Sequence, residues 1–140
     1  MFKPSPKVVA ALRGRIDDAS LDAELARKRP DLTSLLLRVA RDEDGDLGRE
    51  LTAAVCRAGC ALLGERHPGA SIEVRVPPFA AVQIGFGSGP RHTRGTPPNV
   101  VEFEPQTFID LAVGRTAWAA APKRASGVHA DEAEAAFPLT

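Results

Sequence analysis

Between Arg66 and Ile72 the chain changes its hydrophobic period, and that change restricts the fold more than any other feature of the sequence. From Leu47 to about Arg66 the residues Leu51, Val55, Ala58 and Leu62 step by four, three and four along one face of a helix. His67, Pro68 and Gly69 end that helix, and Ile72, Val74 and Val76 then alternate with Glu73 and Arg75, the period of a half-buried strand. Pro77 and Pro78 interrupt the alternation before Val82, Ile84 and Phe86 restore it, with Gly85 and Gly87 loosening the far end of this second strand. Val100 to Glu104 reads as a strand with Val101 and Phe103 on one face, and Pro105 opens a helix containing Phe108, Ile109, Leu111 and Ala112. Gly114 is placed to end that helix in the left-handed conformation. A short helical turn around Trp118, a stop at Pro122, a last strand from Ala125 to Ala130 and a terminal helix returning Phe137 and Leu139 to the core complete the pattern. This order predicts an α+β domain with one antiparallel sheet covered by helices on one face.

Upstream, Ser5 and Pro6 are placed to cap and open a helix carrying Val8, Val9, Leu12 and Ile16. A second helical stretch starts at Ser20, and a third starts at Asp31 with Leu32, Leu35, Leu36 and Val39 as its apolar face. The acidic segment Asp42 to Asp46 breaks the pattern, so residues 1–46 read as an N-terminal helical extension and residues 47–140 as the main domain. A length of 140 residues suits one core rather than two, and 44% apolar with 26% charged residues is a globular composition. Eighteen basic residues balance eighteen acidic ones, which provides no overall pull toward nucleic acid. The first residues lack the pattern of a secretory signal and no run is long enough to span a bilayer, so a cytoplasmic location is expected. In that reducing setting Cys56 and Cys60, four apart on a helix, read as packing thiols rather than as a disulfide or zinc pair.

Residues 75–83 (RVPPFAAVQ), 89–102 (GPRHTRGTPPNVVE), 105–118 (PQTFIDLAVGRTAW) and 125–127 (ASG) together resemble the small bacterial orthologues of sterol carrier protein, a stand-alone type common in actinobacteria. The likeness covers about residues 47–140. It implies the sterol-carrier-like fold, a mostly antiparallel five-stranded sheet with helices on one face, enclosing an apolar tunnel for lipid, sterol or fatty acyl-CoA. It departs from the family at residues 118–127, where the segment is short and carries Pro122.

The apolar positions Val82, Ile84, Phe86, Val101, Phe103, Phe108, Leu111 and Trp118 either fill the interior or line such a cavity, and patterning alone does not separate the two. Arg91, His92 and Arg94, on a loop rich in glycine and proline, suit an anionic head through paired hydrogen bonds. The other reading has Arg75, Arg94, Glu73 and Glu102 pairing among themselves to pin the loop. No nucleophile elbow, phosphate-binding glycine loop or metal-ligand histidine pair is present, so neither catalytic residues nor a cofactor is expected. The expected function is binding or transfer of an apolar ligand, with two alternatives. One is an accessory role, implied by the resemblance, in which Arg94 serves a separately encoded thiol-dependent isomerase or transferase; the other is a protein-interaction module using residues 1–46 for a partner or a second copy.

Overall fold

The structure, a computed structural model, describes residues 1–86 and 97–140. Helix α1 (Pro6–Arg13) is capped by Ser5, whose hydroxyl accepts the Val8 N–H at 3.4 Å. Helix α2 (Asp18–Leu25) begins before the expected Ser20, because the Asp17 carboxylate takes the cap position and accepts the Ser20 N–H at 2.8 Å. Helix α3 (Thr33–Asp42) has Leu32 at its cap position, with no side-chain cap bond from it. Its first turn is tied down by Asp31, which accepts from the Thr33 N–H at 3.0 Å, the Thr33 hydroxyl at 2.6 Å and the Phe2 N–H at 2.9 Å. The Leu32 N–H returns a bond to the Phe2 carbonyl, so the residues ahead of α1 are strapped to the head of α3.

Helix α4 (Gly48–Arg66) is the centre of the molecule. Of the expected face, Leu51, Val55 and Ala58 are buried and Leu62 is half-buried, and Ala53, Ala54, Cys56, Gly59, Cys60 and Leu63 are buried as well. Burial on more than one face follows from its neighbours, since strand β2 (Ala80–Ile84) packs against it and so do α1, α3 and α5 (Pro105–Ala112). Gly59 marks the tightest approach, because a Cβ there would lie 2.8 Å from the Phe108 ring of α5.

The sheet runs in the order β2, β1 (Ile72–Val76), β3 (Asn99–Glu102), β4 (Arg124–Ser126). It has four strands among the described residues rather than the expected five, and it is mixed. β1 pairs antiparallel with β2 and parallel with β3, and β3 pairs antiparallel with β4. Alternation marks which side chains share a face, not which strands are neighbours, and β3 lies beyond β1 rather than beside β2. In register, Ile72, Val74 and Val76 stand beside Ile84, Val82 and Ala80 on one side and Asn99 and Val101 on the other, forming the face turned to the core. The opposite face presents Glu73, Arg75, Gln83, Glu102 and Arg124.

β4 ends at Ser126, short of the expected Ala130, because Gly127 turns the chain with φ +100°. A Cβ on Gly127 would lie 2.3 Å from the Asn99 amide oxygen. Asn99 is buried, donates to the Ser71 carbonyl and accepts the His129 N–H, both at 2.9 Å, and so joins the starts of β1 and β3 to this turn. The expected terminal helix follows as a 3-10 helix (Ala130–Ala136). Beyond it the Leu139 N–H donates to the Ala112 carbonyl at 2.8 Å and Arg66 donates to the Leu139 carbonyl at 2.9 Å. Buried residues from α1, α2 and α3, among them Leu12, Leu21 and Leu36, join those of α4, the sheet and α5 in a single apolar core.

Candidate functional site

The chain after β3 builds an aromatic cluster because strand, helix and tail each contribute one side of it. Phe103 follows β3, Phe108 projects from α5, Trp118 opens a 3-10 turn (Trp118–Ala120), and Phe137 comes from the tail. Phe103 is the hub: its ring centroid lies 5.7 Å from Trp118, 6.3 Å from Phe137 and 6.4 Å from Phe108. The Trp118–Phe103 and Phe108–Phe137 pairs meet edge to face, the arrangement favoured by ring quadrupoles.

A surface hollow of about 470 Å³ is lined by one member of this cluster, Phe103. Its walls are Pro77, Glu102, Glu104, Pro122, Lys123 and Arg124, and Phe103 belongs to both the hollow and the cluster. Lys123 folds back over the Trp118 ring at 4.8 Å and donates to the Trp118 and Ala121 carbonyls at 2.7 and 3.1 Å. The Trp118 indole N–H donates to Asp131 at 3.2 Å. These bonds tie together the short stretch 118–124, which has little regular structure. Glu102 stands in register with Arg75 on one side and Arg124 on the other, and Arg75 bonds Glu73, so the rim carries both signs of charge.

The eight apolar positions singled out by patterning do not converge on one surface. Phe103, Phe108 and Trp118 form the aromatic cluster, whereas Ile84, Val101 and Leu111 are packed in the core. Val82 is half-buried and sits over Gly64 of α4, where a Cβ would meet it at 3.0 Å. Phe86 is half-buried with its ring 4.9 Å from that of His67. Arg91, His92 and Arg94 lie outside the described residues. Sequence reasoning missed Lys123, Arg124 and Phe137 as members of the site; the basic pair beside Pro122 was the available signal.

Cys56 and Cys60 are buried on α4, and burial pushes both thiols up to about 12, so they are neutral at physiological pH. Cys56 also lies 3.9 Å from the Pro105 carbonyl. Among the described residues no group of three or more His, Cys, Asp or Glu side chains is placed to hold a metal ion. Among the same residues no helix is long and apolar enough to cross a membrane.

In comparison with known proteins, the family model described as "Bacterial SCP ortholog" matches residues 48–139. No curated protein matches the chain.

Proposed function

The chain belongs to the family of bacterial orthologues of sterol carrier protein, and from that premise we propose that it binds and transfers an apolar or amphipathic small molecule: a lipid, a sterol or a fatty acyl-CoA. The observation that carries this reading is the hollow of about 470 Å³ with Phe103, the hub of the aromatic cluster, in its wall. That volume is within the ordinary range for small-molecule sites, with Pro77, Phe103 and Pro122 as the apolar part of the lining and Glu102, Glu104, Lys123 and Arg124 as its charged part. In this reading the fold is sterol-carrier-like, the apolar part of the ligand reaches Phe103, Phe108 and Trp118, and the polar part stays at the rim near Lys123 and Arg124. Ile84, Val101 and Leu111 back this region as packed core, while Val82 and Phe86 lie apart from the hollow, at Gly64 and His67. Arg91, His92 and Arg94 are proposed for an anionic head on the strength of their guanidinium and imidazole chemistry.

No step of bond making or breaking is needed for this function, and the buried neutral thiols of Cys56 and Cys60 are poor nucleophiles. The test is native mass spectrometry of protein purified from its own source, with lipid extraction, alongside titration with fluorescent fatty acyl probes. Bound lipid together with micromolar probe affinity supports the reading. A ligand-free protein that also fails to bind the probes at micromolar concentration overturns it.

A further inference from the structure

A second hollow, of about 670 Å³, is formed in the N-terminal helical layer by Met1, Lys3, Pro4, Lys28, Arg29 and Pro30. Lys3, Lys28 and Arg29 are exposed, and Met1 is 47% exposed beside them. The neighbouring carboxylates are already engaged: Glu24 pairs with Arg27 and accepts the Asp31 N–H, Asp31 holds Phe2 and Thr33, and Glu65 pairs with the Met1 amino group. Among the described residues, none lies within ion-pair range of Lys3, Lys28 or Arg29. The placement is fixed, because Phe2 bonds Asp31 and Leu32 in both directions and thereby holds Lys3 beside Pro30.

At and beyond the far end of α3, Asp42 and Glu43 are paired with Arg41 and Arg15, and among the described residues Asp44 and Asp46 have no such partner. Charge without a partner is thus basic at the head of α3 and acidic just beyond its tail, a separation set by a helix about 15 Å long. Such a dipole is not pulled strongly toward an anionic plane from a distance, but it is oriented by one at close range.

We infer that this corner docks the protein on a membrane surface bearing anionic phospholipid headgroups. A free anion is selected by buried, convergent donors, whereas here exposed cations surround an open hollow whose other walls are Met1 and two prolines. Spread cations with interspersed apolar groups match the headgroup layer, where charge lies in a plane above hydrocarbon. The inference does not rest on family membership, since every residue lining the hollow precedes the matched segment 48–139. Nor does it depend on which ligand is carried.

Each basic residue close to an anionic leaflet raises partition by about fivefold, so the three together give on the order of a hundredfold. The experiment is co-sedimentation of the full chain with vesicles of phosphatidylcholine alone or with about one third phosphatidylglycerol, at low and at high salt. Binding is expected only to the anionic vesicles, weakening as salt rises. The double substitution Lys28→Gln and Arg29→Gln should reduce it by more than tenfold. The control Ala119→Glu with Ala135→Glu changes net charge equally at exposed positions elsewhere and should leave most of the binding in place. Equal sedimentation with both vesicle types, or loss of binding in the control as large as in the Gln pair, overturns the inference. Fluorescent acyl binding in solution is read separately, so failure here is distinguishable from failure of the carrier reading.

Discussion

Cys56 and Cys60 illustrate how much of a residue's chemistry is set by what surrounds it. As free residues both would titrate near 9, but burial pushes them up to about 12. Neither thiol should react with an aromatic disulfide reagent at pH 8 in the folded protein, and both should react within seconds once denaturant unfolds it; rapid labelling of the native protein would contradict the packing described. Helical spacing alone indicated that these two side chains do not form a disulfide. Their complete enclosure was not legible, because Ala53, Ala54 and Gly59 look indifferent in a pattern and are buried through what β2, α1, α3 and α5 bring against α4. Asn99 is a similar case: a polar residue in a proline-rich stretch reads as loop, yet it occupies the core face of β3 and satisfies both Ser71 and His129.

At the scale of the elements, two contacts fasten α3 at its ends. At its head, burial acts to raise the Asp31 carboxyl, and the bonds it accepts from Phe2 and Thr33 outweigh that, holding it below its usual value of 3.8. A carboxyl lowered by folding contributes stability that is complete above its unfolded value and is lost as pH falls through the folded one. Unfolding midpoints should therefore drop below about pH 4, and Asp31→Asn should remove part of that acid dependence while lowering stability at neutral pH. At its tail, Arg115 bonds Asp110 and the Ala40 carbonyl, both at 2.7 Å, and reaches toward the carbonyls of Arg41 and Glu43. Those are the orphan acceptors of the last helical turn. Arg115→Ala should cost about 1–2 kcal/mol in denaturant unfolding, after allowance for its partial exposure. The helices α1, α4 and α5 and the strands β1 to β3 were legible from period, capping residues and prolines. The parallel pairing of β1 with β3 was not, since neighbour order depends on how a connection travels and not on local pattern. The end of β4 was misplaced for a steric reason, the turn at Gly127.

For the molecule as a whole, the family match begins at residue 48 and the single apolar core does not. Leu12, Leu21 and Leu36 belong to that core, and α1 and α3 cover a side of α4 that the sheet leaves open. We propose that residues 1–46 are part of the folding unit even though they lie outside the matched region. A chain lacking them should aggregate or self-associate, and should unfold at a temperature at least 10 °C lower if it stays soluble. A deletion with unchanged oligomeric state and unchanged melting temperature would show the helices to be dispensable. The shape of the candidate site belongs to this scale as well, because Phe103, Phe137 and Lys123 are far from contiguous and only the fold brings them together. Of the eight patterned apolar positions, Phe103 alone lines the hollow, and Val82 and Phe86 are half-buried elsewhere.

Trp118 gives the molecule an optical property. The chain has one tryptophan and no tyrosine, so ultraviolet emission excited near 280 nm comes almost wholly from a single indole. That indole is 8% exposed, lies beneath the Lys123 ammonium and stands 5.7 Å from Phe103 at the hollow. If the hollow takes the proposed ligand, an occupant reaching Phe103 should alter the polarity or the charge near that indole, and filling should then be read as a shift in emission colour and intensity without any label.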